Sequence, residues 1–168
     1  MSLLTLLLFA GNPIVAAPQP SAPRRPIFCS DDCISPVEAV TYASYLAPKA
    51  GIAGTFRMEV KAVGEQKGIY YLNSETDYRD RNCLTIAIPA KLMTQLAGGE
   101  GIEAAERRFK GRMTLVRGVA QRVKIVFFDD GGRPTDKYYF QVQIRAGDAD
   151  QISTRAGYSD DRALSRTP

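Results

Sequence analysis

From Thr55 onward the chain alternates. Phe56, Met58, Val60 and Ala62 interleave with Arg57, Glu59 and Lys61, which predicts a strand with one face buried. The stretch from Gly64 to Gly68 reads as a turn, and Ile69–Leu72 as a second, Tyr-rich strand. A polar loop follows over Asn73–Asn82, then a third strand over Cys83–Ile88, stopped by Pro89. Leu92, Met93 and Leu96 suit a short helix that Gly98, Gly99 and Gly101 interrupt, and Ile102–Phe109 supplies another turn or two. Arg112–Phe128 reads as one long strand, and Gly118 near its middle predicts a bulge or bend. Asp129-Asp130-Gly131-Gly132-Arg133-Pro134 is a turn. Tyr138, Phe140, Val142 and Ile144 then alternate with Tyr139, Gln141, Gln143 and Arg145 to make the last strand.

Ahead of this body, Ser35-Pro36-Val37-Glu38 carries a helix start. Ser35 can cap, Pro36 suits the first helical position, and Glu38 completes a capping box. Val37, Val40, Ala43, Tyr45 and Leu46 recur at helical spacing until Pro48 and Gly51 end the segment. Further upstream, Leu3–Ala10 is an apolar block, followed by Gly11-Asn12-Pro13 and then Val15-Ala16-Ala17. That order is expected of a secretory signal peptide with a small-residue cleavage site. The block is far shorter than the ~20 residues of a membrane span. The expected organisation is a signal peptide over 1–17, a Pro-rich linker over 18–34, an N-terminal helix over 35–50, a barrel over 51–155 and a disordered tail over 156–168. The expected compartment is the periplasm or the medium.

Composition narrows the chemistry. The 168 residues contain no His, which removes Ser-His-Asp and Cys-His nucleophilic devices and every imidazole metal site. Trp is also absent, so any base stacking falls to eight Tyr and seven Phe. Lys plus Arg is 22 against 18 acids, a net charge of +4 that gives a mild bias toward anionic partners. Three cysteines in an exported chain allow one disulfide with three pairings among Cys29, Cys33 and Cys83. No cofactor is expected, and three cysteines without a fourth ligand make a poor metal site.

The element order is strand, strand, strand, helix, strand, strand. Five strands with a helix between the third and fourth is the order of a small closed Greek-key barrel. The stretches "GTFRMEVKAV", "GIYYLN", "LTIAIP", "FKGRMTLVRGVAQ" and "YYFQVQIRAGDADQI" resemble successive parts of the nucleic-acid-type OB-fold, over about residues 51–153. The expected fold class is therefore all-β with one or two helices: a five-stranded OB-fold barrel with a leading helix. The resemblance implies a ligand surface on strands two and three, flanked by the first and last hairpin loops. It specifies fold better than function.

On that surface lie Lys61, Tyr70, Arg122, Lys124 and Tyr139, the candidate binding residues, with Lys67, Tyr71, Arg133 and Lys137 near them. Cations would hold phosphate or sulfate and tyrosines would stack on bases or sugars. Asp77, Asp80, Asp129, Asp130 and Asp136 fall in the same loops and dilute the positive charge. The expected function is non-enzymatic binding of an anionic polymer such as single-stranded nucleic acid or an anionic glycan. An alternative is a cell-envelope domain that binds a protein or glycan. A third reading is a calcium-dependent nuclease, because nucleases related to the staphylococcal enzyme are built on this barrel. The loop "NSETDYRDRN" offers Glu75, Asp77 and Asp80 beside Arg79 and Arg81, but their order does not match that family's motif, so no catalytic residue is transferred.

Overall fold

The computed structural model describes Ile27 and residues 33–155. The expected signal peptide and tail lie outside those residues. Seven strands form one sheet: β1 (Ile52–Glu59), β2 (Ala62–Gln66), β3 (Ile69–Asn73), β4 (Leu84–Pro89), β5 (Met113–Phe128), β6 (Pro134–Arg145) and β7 (Ile152–Arg155). Their order is β1-β5-β6-β4-β3-β2, with β7 added beside β5. The path starts on β1 and ends on β2, which are consecutive halves of one stretch of chain. Across the break, Val60 N–H donates to Arg112 O, Gly111 N–H donates to Val60 O, and Lys61 N–H donates to Asn73 O. The junction of β1 and β2 thus bonds to both ends of the strand path. β4 and β6 run parallel while β3–β4 and β5–β6 run antiparallel. This mixed sheet, β-dominated and preceded by a helix, is consistent with an OB-like barrel.

The alternation of the first strand holds. Phe56, Met58 and Val60 are fully buried, with Leu72, Leu84, Ile86, Ile88, Val116 and Ile144 from the facing strands. Two helices, α2 (Ala90–Ala97) and α3 (Ile102–Phe109), follow β4 and supply Met93 and Phe109 to the same core. Each such side chain gains roughly 1.5–3 kcal/mol from leaving water.

Four local features depart from the sequence reading. Gly64 lies within β2, opposite Tyr71, and the turn is the two residues Lys67 and Gly68. Both have positive φ, 52° and 75°, the primed turn that matches strand twist. Gly118 makes no bulge: β1 pairs through it without a register shift, opposite Gly54. Its reason is crowding, because a Cβ there would stand 2.8 Å from Ile144 Cγ2. The leading helix α1 (Pro36–Thr41) has the expected Ser35–Glu38 capping box but continues as a π-helical turn over Tyr42–Leu46. Ala39 and Ala43 face the barrel, one helical turn apart, while Val37, Tyr45 and Leu46 are exposed. Finally, the Asp148-Ala149-Asp150-Gln151 block is a capped 3₁₀ turn that aims Gln151 Nε2 at Arg117 O and delivers the additional strand β7.

The end of the expected linker is part of the fold. Ile34 bridges Phe56 in parallel, and Ile27 is buried. Cys33 is disulfide-bonded, whereas Cys83 is a buried free thiol. Both bridges to Cys83 are thereby excluded; Cys29 lies outside the described residues. Among the described residues, no helix is long and apolar enough to cross a membrane.

Candidate functional site

β5 and β6 are longer than the barrel needs. They pair from Ala120↔Ile144 out to Phe128↔Pro134, forming a two-stranded arm. Near the barrel, Ala120, Val142 and Ile144 on one face of this ribbon are buried. Because side chains alternate with period two, the same row continues outward as Arg122, Lys124 and Val126 on β5 and Phe140 and Tyr138 on β6. Beyond the core, that inward-type row becomes open: Phe140 is 44% exposed and Tyr138 52%.

The row is built as a ladder of cations on rings. Arg122 Cζ lies 3.5 Å from the Phe140 centroid, and Lys124 Nζ lies 4.1 Å from the Tyr138 centroid. Each cation reaches diagonally across the pair, since Lys124 stands opposite Phe140 and Arg122 opposite Val142. Tyr138 and Phe140 meet edge to face at 5.5 Å. Neither Arg122 nor Lys124 has a carboxylate partner among the described residues. The rings hold the two positive charges without neutralising them.

The other face of the arm is covered next to the barrel, while Phe127 and Tyr78 farther out are about as exposed as Phe140 and Tyr138. Tyr139 sits between Phe127 at 5.6 Å and Tyr78 at 6.4 Å, and burial pushes its phenol above the ordinary value. Gln141 Nε2 donates to Tyr78 O and Gln143 Nε2 donates to Gln141 Oε1, so both glutamines are buried where alternation predicted a wet face. The Asn73–Asn82 loop is what covers them. It is anchored at its base by Thr85 Oγ1 donating to Asn73 Oδ1 and Leu84 N–H donating to Ser74 Oγ.

The sequence candidates separate accordingly. Arg122 and Lys124 come together on the open face. Tyr139 lies on the opposite face, half-buried between Phe127 and Tyr78, and does not join them. Tyr70 is a core residue, 8% exposed beside Leu72 and Ile88, so it cannot stack on a ligand; its parity matches Leu72 and points inward. Lys61 is tied to Glu75 at 2.7 Å, and that carboxylate raises its pKa. Tyr138 and Phe140, which complete the ladder, were assigned only to the last strand. The signal was their i, i+2 spacing across a turn from Arg122 and Lys124.

Three of the loop acids are tied up by local hydrogen bonds. Asp77 accepts from the Arg79 backbone and side chain, which holds its carboxyl below the ordinary value. Asp80 accepts from Asn82 N–H. At the arm tip, Asp129 accepts from Gly131 N–H, Arg133 N–H and Arg133 Nε. Among the described residues, no three acids or cysteines converge on a point that could hold a metal ion.

The chain matches no protein-family model and no curated protein. Among solved structures it is similar to an aspartyl-tRNA synthetase from Entamoeba histolytica, with a TM-score of 0.35 and 12% identity over 63% of this chain and 19% of that one. It is also similar to a protein assigned as an aspartyl-tRNA synthetase from Leishmania major Friedlin, with a TM-score of 0.38 and 11% identity over 79% of this chain and 22% of that one. The chain thus spans about a fifth of the length of either protein. Likenesses this distant carry no argument about function, and the barrel assignment rests on the strand order and pairing above.

Proposed function

We propose that this protein is a non-enzymatic binding module for an anionic polymer, with single-stranded nucleic acid as the first candidate and the β5–β6 arm as its contact. The observation that carries this reading is the cation ladder: Arg122 and Lys124 are held at fixed spacing by Phe140 and Tyr138 and, among the described residues, have no carboxylate partner. Side chains two apart on a strand stand about 6.6–6.8 Å from one another, a spacing that a flexible phosphate backbone can follow. Base stacking is a lesser part, because a cation already covers a face of each ladder ring. The polymer is recognised mainly by its charge. The disulfide at Cys33 supports export to the periplasm or medium, where such bonds persist. Export leaves extracellular or imported DNA and anionic glycans as the available polymers.

The test is fluorescence anisotropy of a labelled single-stranded DNA across a salt series, with Arg122→Ala/Lys124→Ala beside the parent. Single strands lose affinity with a log–log slope of about 0.7 per phosphate contact. The double variant should bind with a slope shallower by about 1.4. An unchanged slope would remove the arm from the binding surface. No binding at low salt, with binding of heparin instead, would make the polymer a sulfated glycan. Binding of neither, together with capture of a specific envelope protein, would favour the protein-interaction reading, for which Phe128 at 63% exposure is the most open apolar side chain of the arm. Loss of signal through calcium-dependent cleavage would overturn the non-enzymatic reading.

A further inference from the structure

A second site lies away from the arm. A pocket of about 340 Å³ opens between α2, α3 and the chain that leads into β7, lined by Leu96, Phe109, Ala149, Ile152, Ile27 and Arg108 among others. Its volume falls in the range of small-molecule sites. None of its lining residues belongs to the arm.

One feature of its wall calls for a ligand. Arg108 is half-buried there, with Nε donating to Leu96 O at 3.2 Å and the guanidinium 5.7 Å from the Phe109 ring. The carbonyl and the ring fix its plane, yet it has no carboxylate partner among the described residues. Its terminal N–H groups form a fork suited to a planar anion. Thr154 lines the same pocket, but its Oγ1 is fully buried and faces away from the open space.

We infer that this pocket binds a small amphipathic carboxylate, with the carboxylate on the Arg108 fork and an apolar body against Leu96, Phe109 and Ile152. Among the described residues the wall holds one guanidinium, Arg108, and one carboxylate, Asp150, which has an interaction of its own. A single guanidinium matches a single carboxylate group. The apolar walls require a ligand with a hydrocarbon part, not a bare anion.

The experiment is a ¹H–¹⁵N titration of the folded, disulfide-intact chain with octanoate, 1-octanol and inorganic phosphate as separate probes. Octanoate should give saturable shifts centred on the amides of Leu96, Arg108, Phe109 and residues 149–154. Octanol, with the same tail and no charge, should bind roughly ten- to a hundredfold more weakly. Phosphate should leave these amides unmoved. Arg108→Gln should weaken octanoate by a similar factor with an unchanged melting temperature. The comparison of the two tails on the parent protein tests the inference even if that variant does not fold. Absence of saturation with octanoate, equal binding of octanol, or preference for phosphate would each overturn it.

Discussion

Phe140→Leu separates two ways in which the arm could hold a polymer. If the Phe140 ring serves to seat the Arg122 charge, its loss removes one exposed cation–π contact, about 0.5–1 kcal/mol. That corresponds to roughly a two- to fivefold loss of affinity through poorer positioning of one guanidinium. If the ring is instead a platform on which a base stacks, its loss removes about 1–3 kcal/mol per base. That is roughly five- to 150-fold, and it depends on whether a base is present. The structure favours the first case, because the Arg122 guanidinium occupies one ring face at 3.5 Å and the Tyr138 ring packs edge to face at 5.5 Å. The assay is anisotropy with two labelled strands of equal length, one oligothymidine and one abasic, at fixed salt. The expected result is a loss below about fivefold that is the same for both strands. A loss above about twentyfold on oligothymidine, accompanied by little loss on the abasic strand, would refute the charge-seating account and make Phe140 a stacking residue. A thermal melt of the variant controls for folding, because a 44% exposed side chain should contribute little to stability.

Other outcomes follow from the packing and the ion pairs. Gly118→Ala should lower stability by about 1–3 kcal/mol in a denaturant melt, since its new methyl meets Ile144 Cγ2 at 2.8 Å in a filled core. Tyr70→Ala should cost about 3–5 kcal/mol of stability, while Tyr70→Phe should leave polymer affinity unchanged in the anisotropy assay. The Asp129 carboxyl, held below its ordinary 3.8 by the Arg133 and Gly131 N–H groups, should titrate below that value by carbon-detected NMR. Its pKa is depressed on folding, so its contribution to the tip turn is present above pH 3.8 and is lost as pH falls through the depressed value. The Cys83 thiol, 1% exposed, should resist alkylation in the native protein and react only on unfolding.

The barrel was legible because its signals are local and repeated. Phe56, Met58 and Val60 give strand period directly, and Ser35 with Glu38 gives the helix start. The fold order followed from where helical spacing interrupts strand spacing. What could not be read was how far each strand stays inside the barrel. Tyr138, Phe140, Val142 and Ile144 look alike as an apolar row, yet only the last two are core, because beyond Val142 β6 no longer pairs with β4 and leaves the barrel behind. Tyr70 failed for the converse reason. Its neighbour Tyr71 is the residue of the pair that faces outward, and a Tyr-Tyr dipeptide does not announce which ring turns in. The burial of Gln141 and Gln143 depends on a loop some 60 residues away in sequence, through the bond to Tyr78 O. No local pattern encodes that.

The two faces of the arm show why the open one is the better candidate for binding. An apolar row that leaves a barrel has two physical solutions: it can be covered by another part of the chain, or it can be made polar. The Tyr139 face takes the first solution, through Tyr78 and the two glutamines. The opposite face takes a mixed course. It retains Tyr138 and Phe140 but sets Arg122 and Lys124 over them. If solubility were the only requirement, each cation could be paired with an acid, as Lys61 is with Glu75 and Arg133 is with Asp129 on the same molecule. Asp136 lies two residues before Tyr138 on the same strand, yet it forms no ion pair with Lys124. An exposed ion pair gains little, so leaving these cations unpaired costs the fold almost nothing. For binding the consequence is larger, because an anion arriving at Arg122 and Lys124 has no internal carboxylate to displace.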